Sequence, residues 1–165
     1  MRRSLVALAA LTALLAVAPA ASAPPAKGLL VPGRSLGNVS VGMTKADVLD
    51  VWGKRHGVCR DCPRTTWYFN YEKFVAQGAG VVFERGRVTH VFTVWSPDGW
   101  RSADGLALGA SEAEVDDALV LNDERICDGY DALLAQGEHA TTVYYLYAKR
   151  LWGFGLTKPG ANPCL

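Results

Sequence analysis

The amino-acid sequence predicts an α+β fold, with two tandem helix-then-β-strand repeats forming one antiparallel sheet and the helices packed on one face. Three observations point there. The same helix-opening signature occurs twice, runs rich in Val, Thr and aromatic residues follow each occurrence, and the four cysteines divide two and two between the halves of the chain. An apolar share of 50% also supplies enough material for a core and sets the chain apart from disordered sequences.

The chain opens with Arg2 and Arg3, then an apolar run from Leu5 to Val17, then small residues, which is the order of parts in a secretory signal. The run is too short to span a bilayer comfortably. Ala18 and Ala20 place the cut after residue 20, so 1–20 reads as a signal peptide. Residues 21–35, rich in Pro, Ala and Gly, read as a flexible leader, and 36–165 as a single domain with halves at about 36–100 and 101–165. No cysteine lies near the cut, so a lipid-modified N-terminus is not expected. The mature chain is expected to be a monomer without a transmembrane segment. Once Arg2 and Arg3 are removed the charges nearly balance, and no basic footprint suggests nucleic acid as a partner.

The elements follow in order. Thr44 with Asp47 three residues later forms a capping box, and Ala46, Val48, Leu49 and Trp52 share a helical face that ends near Gly53. Trp67, Phe69 and Tyr71 alternate with Tyr68, as in a strand with one aromatic face. Residues 79–84 and 87–95 flank Arg85-Gly86, a hairpin turn, and Pro97-Asp98-Gly99 closes the first half. Ser111 and Glu114 then form a second capping box, with Ala113, Val115, Ala118 and Leu119 as its apolar stripe. Strands are expected at 130–135, 141–149 and 151–157. A shift of 67 positions puts Gly42 on Gly109, Thr44 on Ser111 and Val48 on Val115, and it brings Cys59 to within one position of Cys127. An internal repeat accounts for that coincidence.

An even number of cysteines in an exported chain implies disulfides. Of the three possible pairings, Cys59–Cys62 with Cys127–Cys164 keeps each bridge inside one half. By chain entropy the longer loop stabilises by ~4 kcal/mol and the shorter by about half that.

The stretch Val41-Gly42-Met43-Thr44-Lys45-Ala46-Asp47-Val48-Leu49, continued by Trp52-Gly53, resembles the opening of the SmpA/OmlA (BamE-like) family of outer-membrane assembly lipoproteins. Leu108-Gly109-Ala110-Ser111-Glu112-Ala113-Glu114-Val115 resembles a second, more divergent copy. Two tandem copies with a disulfide in each half are similar in plan to the β-lactamase inhibitory proteins. The resemblance implies a fold and brings no catalytic group with it, and no inhibitor contact residue is matched.

Candidate chemistry is sparse. Cys59-Arg60-Asp61-Cys62 has the spacing of a thiol-exchange motif, but it follows a helix and precedes a strand, the reverse of the arrangement that lowers a thiol pKa. His56, His90 and His139 lack the second paired ligand motif of a zinc site, and His90 reads as a packing histidine within a strand. Asp116 and Asp117 read as a solvated helix face. No metal or cofactor is expected. The aromatic residues remain, and they fall on both parities of their strands. If Trp67, Phe69 and Trp152 fill the core, then Tyr68, Tyr145 and Tyr147 face the other way as anchors of a binding surface. The sequence is thus read as an exported non-enzymatic binding module that engages a protein or cell-envelope partner through an aromatic sheet face. The alternative is a thiol-redox protein or secreted enzyme using the Cys59/Cys62 loop.

Overall fold

The computed structural model describes residues 27–69, 78–94, 99–120 and 123–165. The signal peptide, Tyr71, Trp95 and the Pro97-Asp98 turn lie outside the described residues. The elements are β1 (Lys27–Val31), β2 (Ser35–Leu36), α1 (Lys45–Trp52), β3 (Gly57–Val58), β4 (Thr65–Phe69), β5 (Gly78–Glu84), β6 (Arg87–Val94), β7 (Gly99–Ser102), α2 (Glu112–Ala118), β8 (Asp123–Ile126), β9 (Asp131–Ala135), β10 (Thr141–Tyr147) and β11 (Arg150–Thr157).

The expected architecture of helix-then-strand repeats on one antiparallel sheet is overturned. Strand makes up 49% and helix 12% of the described residues, and there are two sheets. The helices are too short to cover a face, at eight and seven residues. The second sheet is built partly from what composition marks as leader: β1 pairs antiparallel with β2 and parallel with β7, with Leu30 opposite both Leu36 and Ser102. Pro and Gly in residues 21–35 suggest flexibility, but Pro32 and Gly33 make the turn of this small hairpin, and the leucines on either side supply its buried face. Lys27–Val31, within the stretch expected to be a flexible leader, is therefore a strand of the fold.

The large sheet has the order β3-β4-β5-β6-β11-β10-β9-β8 and is antiparallel throughout. Both outermost strands are short, which limits the backbone left open to unwanted pairing. One face packs against α1, α2 and the small sheet. There Trp52 and Trp100, both almost fully buried, meet edge to face at 6.2 Å, and Trp52 meets Phe69 in the same way at 5.1 Å. The Trp52 indole N–H donates to the Gly37 carbonyl at 2.8 Å, so the ring is placed without leaving a buried donor unpaired.

Both helices start from reciprocal caps. Thr44 Oγ1 accepts from the Asp47 amide, and the Asp47 carboxylate accepts from the Thr44 amide at 2.7 Å; Ser111 and Glu114 repeat the exchange, again with a 2.7 Å bond. These bonds hold both carboxyls below their ordinary pKa, the backbone N–H of the cap contributing most. The residues before each cap dock on the start of a strand. The Gly42 amide donates to the Val88 carbonyl and the Val88 amide donates to the Met43 carbonyl, and Gly109 and Ala110 make the same pair with Leu151. This local docking and capping gives the two helix openings their shared sequence.

Replacing Thr44 or Ser111 by Ala is expected to cost about 1 kcal/mol in urea unfolding. Val48→Ala or Val115→Ala should cost more, about 2 kcal/mol or above, because both valines are fully buried. The carboxyl pKa values are depressed in the folded state, so the stability they contribute is present above the ordinary carboxyl range and is lost as pH falls through the folded values. The cost of each cap mutation should accordingly shrink in acid.

Candidate functional site

The opposite face of the large sheet carries a second apolar cluster, built from Val82, Phe92, Val94, Ala132, Leu134, Val143 and Tyr145. Above its β4–β6 half lies a groove of about 980 Å³. Tyr68, His90, Phe92 and Trp152 line it. The Cys59–Cys62 loop borders one side and the segment from Asn162 to Leu165 the other. The volume falls in the range of small-ligand and anchor-residue pockets.

Two glycines shape this face. A side chain on Gly80 would run into the Phe92 ring, so the missing side chain makes room for Phe92 over β5. At Gly155 a Cβ would meet the Tyr145 hydroxyl at 2.8 Å. The Tyr145 ring therefore crosses β11 over a strand position with no side chain and reaches His90 on β6.

The polar floor follows from that crossing. Tyr145 donates its hydroxyl proton to the Pro163 carbonyl at 3.0 Å, so the 2.8 Å bond with His90 must be donated by the His90 Nε2–H. Burial holds the His90 pKa down to about 3, with a smaller contribution from the Arg64 charge, and His90 is therefore neutral at physiological pH. Burial, and to a lesser degree Tyr130, pushes the Tyr145 pKa far up. Neither group can take up or release a proton near neutrality. Tyr130, which stands 5.9 Å from Tyr145 and 5.4 Å from Trp152, accepts the Leu165 amide at 2.6 Å. The Cys127–Cys164 bridge fastens the same segment covalently.

Of the three tyrosines read as anchors, all lie on this face, but not alike. Tyr68 is half-buried in the groove wall, 6.2 Å from Phe92, and Tyr147 is 50% exposed beside Trp152. Tyr145 is fully buried under the Pro163 segment, so its placement as an exposed anchor is corrected: it supports the surface from beneath. Trp152 is corrected in the other direction. Parity groups it with Trp67 and Phe69, but the β10–β11 register shifts between Tyr145 and Leu146, and the extra residue on β11 turns Trp152 onto the groove face. The β5–β6 hairpin carries a like irregularity between Val82 and Phe83.

Cys59 is bonded to Cys62 and Cys127 to Cys164, with no free cysteine left. The first pair sits between β3 and β4, away from any helix N-terminus. His56 stacks on Trp67 at 4.0 Å and His139 is exposed beside Glu138. Asp116 and Asp117 are exposed on α2. Among the described residues no group of three or more His, Cys, Asp or Glu could hold a metal ion, and no helix is long and apolar enough to cross a membrane. Sequence reasoning missed His90, Phe92 and Trp152 as groove residues. The signal was present in Trp152-Gly153-Phe154-Gly155, where glycine at every second position clears one face of a strand.

The fold and groove define a small, disulfide-braced, mostly-β module. No family model matches the chain, and no curated protein matches it in sequence. A solved structure with a similar fold is an extracellular protein containing a SCP domain from Bacillus anthracis str. Ames, at a TM-score of 0.54 and 14% identity. The similarity covers 72% of this chain but only 44% of that one, and at this identity it is a likeness of fold alone. The SmpA/OmlA resemblance is thereby corrected. It is confined to two helix openings, whose capping and docking any chain of this local geometry requires, and the neighbouring fold and the mostly-β architecture do not support it.

Replacing Tyr145 by Phe leaves the His90 N–H and the Pro163 carbonyl without their shared partner in a buried site. The expected cost is about 1–3 kcal/mol. Hydrogen exchange at the Cys164 and Leu165 amides should quicken more than exchange in α1, since the hydroxyl ties down the adjacent segment.

Proposed function

We propose that the chain is an exported, non-enzymatic binding module that engages a protein or cell-envelope partner through the groove on its aromatic sheet face. The observation that carries this reading is the groove itself: some 980 Å³ walled by Tyr68, Phe92 and Trp152, over a buried Tyr145 hydroxyl already engaged by His90 and Pro163. Such a site offers apolar area and shape rather than proton transfer. Two disulfides and an extracellular protein of similar fold fit a secreted or extracytoplasmic setting. Residues 1–20 are proposed as the signal that sends it there, with cleavage after Ala20.

Tyr68 and Trp152 are the anchors, with Tyr147 at the rim. The bridged Cys59–Cys62 pair braces the groove border and, lacking a helix dipole to lower a thiol pKa, gives the redox alternative no support. The mature protein, used as bait on culture medium and envelope extract, should retain a specific partner. Tyr68→Ala or Trp152→Ala should weaken that partner's binding about thirtyfold, with the unfolding midpoint recorded alongside to separate binding from stability. Full partner binding by both folded variants would reject the groove as the interface.

A further inference from the structure

The near-zero net charge of the chain hides a separation of charge. Between Glu112 and Asp131 lie eight acidic residues and one basic residue, Arg125, whereas between Lys54 and Arg64 lie four basic residues and one acidic residue, Asp61. The fold keeps these stretches apart: β3 of the basic stretch and β8 of the acidic one are the two outermost strands of the large sheet, and the other acidic residues lie mainly on α2, on the helix-covered face. The groove belongs to the basic edge. Cys59, Cys62 and Arg64 line it, while none of its described lining residues comes from the acidic stretch.

The cations at this border are available. Arg60, in the bridged loop that borders the groove, is exposed and is not ion-paired among the described residues. Arg64 has a partner in Glu84, but the contact is loose at 3.5 Å and the Glu84 side chain is 51% exposed. A partner seated in the apolar groove must bring part of its surface against this rim. Apolar or cationic surface there would strip water from the charges without replacing it, whereas carboxylates would pair with them.

We propose that the groove receives an acidic segment of another protein, with its apolar side chains in the groove and its carboxylates against Arg60 and Arg64. The inference rests on the reading of the groove as a binding surface and adds the charge of its partner.

The test uses three fluorescently labelled peptides with one pattern of Phe and Leu, whose polar positions are all Glu, all Ser or all Lys. Fluorescence anisotropy is read with the mature, disulfide-bonded protein and with an Arg60→Glu/Arg64→Glu variant. An Arg60→Glu variant serves if the double variant does not fold. The Glu peptide should bind at least about tenfold more tightly than the Ser peptide, and the Lys peptide least. The preference should fade as salt approaches 1 M, where screening acts over about 3 Å, and should invert in the charge-reversed variant. Equal binding of all three peptides overturns the acidic partner and leaves the apolar groove standing. Binding of none overturns both. Adsorption to phosphatidylglycerol vesicles without preference for the Glu peptide overturns the proposal in favour of an anionic membrane surface. Self-association abolished by charge reversal, again without that preference, overturns it in favour of a second copy of this chain.

Discussion

The hydrogen bond between Tyr145 and His90 is the contact on which the groove face depends. It links β10 to β6 across β11, and so spans the seam at which the strands of the two halves of the chain meet. The bond requires an empty position at Gly155 for the ring to cross. The same hydroxyl then holds Pro163, which brings Cys164 and Leu165 to the border of the groove. One phenol thus fixes the floor, the seam and one wall. Because its hydroxyl is engaged by both His90 and Pro163 and burial keeps His90 uncharged, the floor is neutral, and the aromatic rings above it offer mainly apolar contact.

The two sides of the large sheet are built for different ends. Toward the helices, Trp52, Trp100, Phe69, Tyr144 and Phe154 are essentially without exposure and are closed in by α1, α2 and the small sheet. On the other side the apolar cluster is smaller, and the half-buried Tyr68, Tyr130 and Trp152 pack against its margin. The disulfides serve that side: one braces the loop on the basic edge and the other pins the segment after β11. Both bridges lie at the borders of the groove rather than within the core, and each ties down a segment with few apolar contacts of its own.

Local signals in the sequence were read where they are decided locally. Thr44 with Asp47 and Ser111 with Glu114 specify caps because the bonds are made within four residues, and Arg85-Gly86 specifies a turn for the same reason. What escaped is decided at a distance. Lys27–Val31 has the composition of a leader, and only its partner β7, some seventy positions away by register, makes it a strand. Trp152 shares parity with core residues until a bulge turns it over, and neither side of that hairpin announces the extra residue. Tyr145 lies on the face its parity indicates, yet its exposure is set by Pro163, which no strand pattern reaches. The repeat shift aligned real similarities between two helix openings and extended them into an architecture that the short helices and the second sheet do not form.

The central claim is that the groove stands on a buried floor in which His90 is a neutral donor to Tyr145. Nitrogen-15 NMR of the His90 imidazole between pH 7 and pH 4 tests this directly. The account predicts a neutral ring with its proton on Nε2 throughout, as expected for a group whose pKa is depressed to about 3. It also predicts a slowly exchanging Nε2 proton that sharpens with the fold and is lost in Tyr145→Phe. An imidazole that titrates near its ordinary value of 6.5, or carries its proton on Nδ1, would mean a wet or differently bonded floor and would contradict the account.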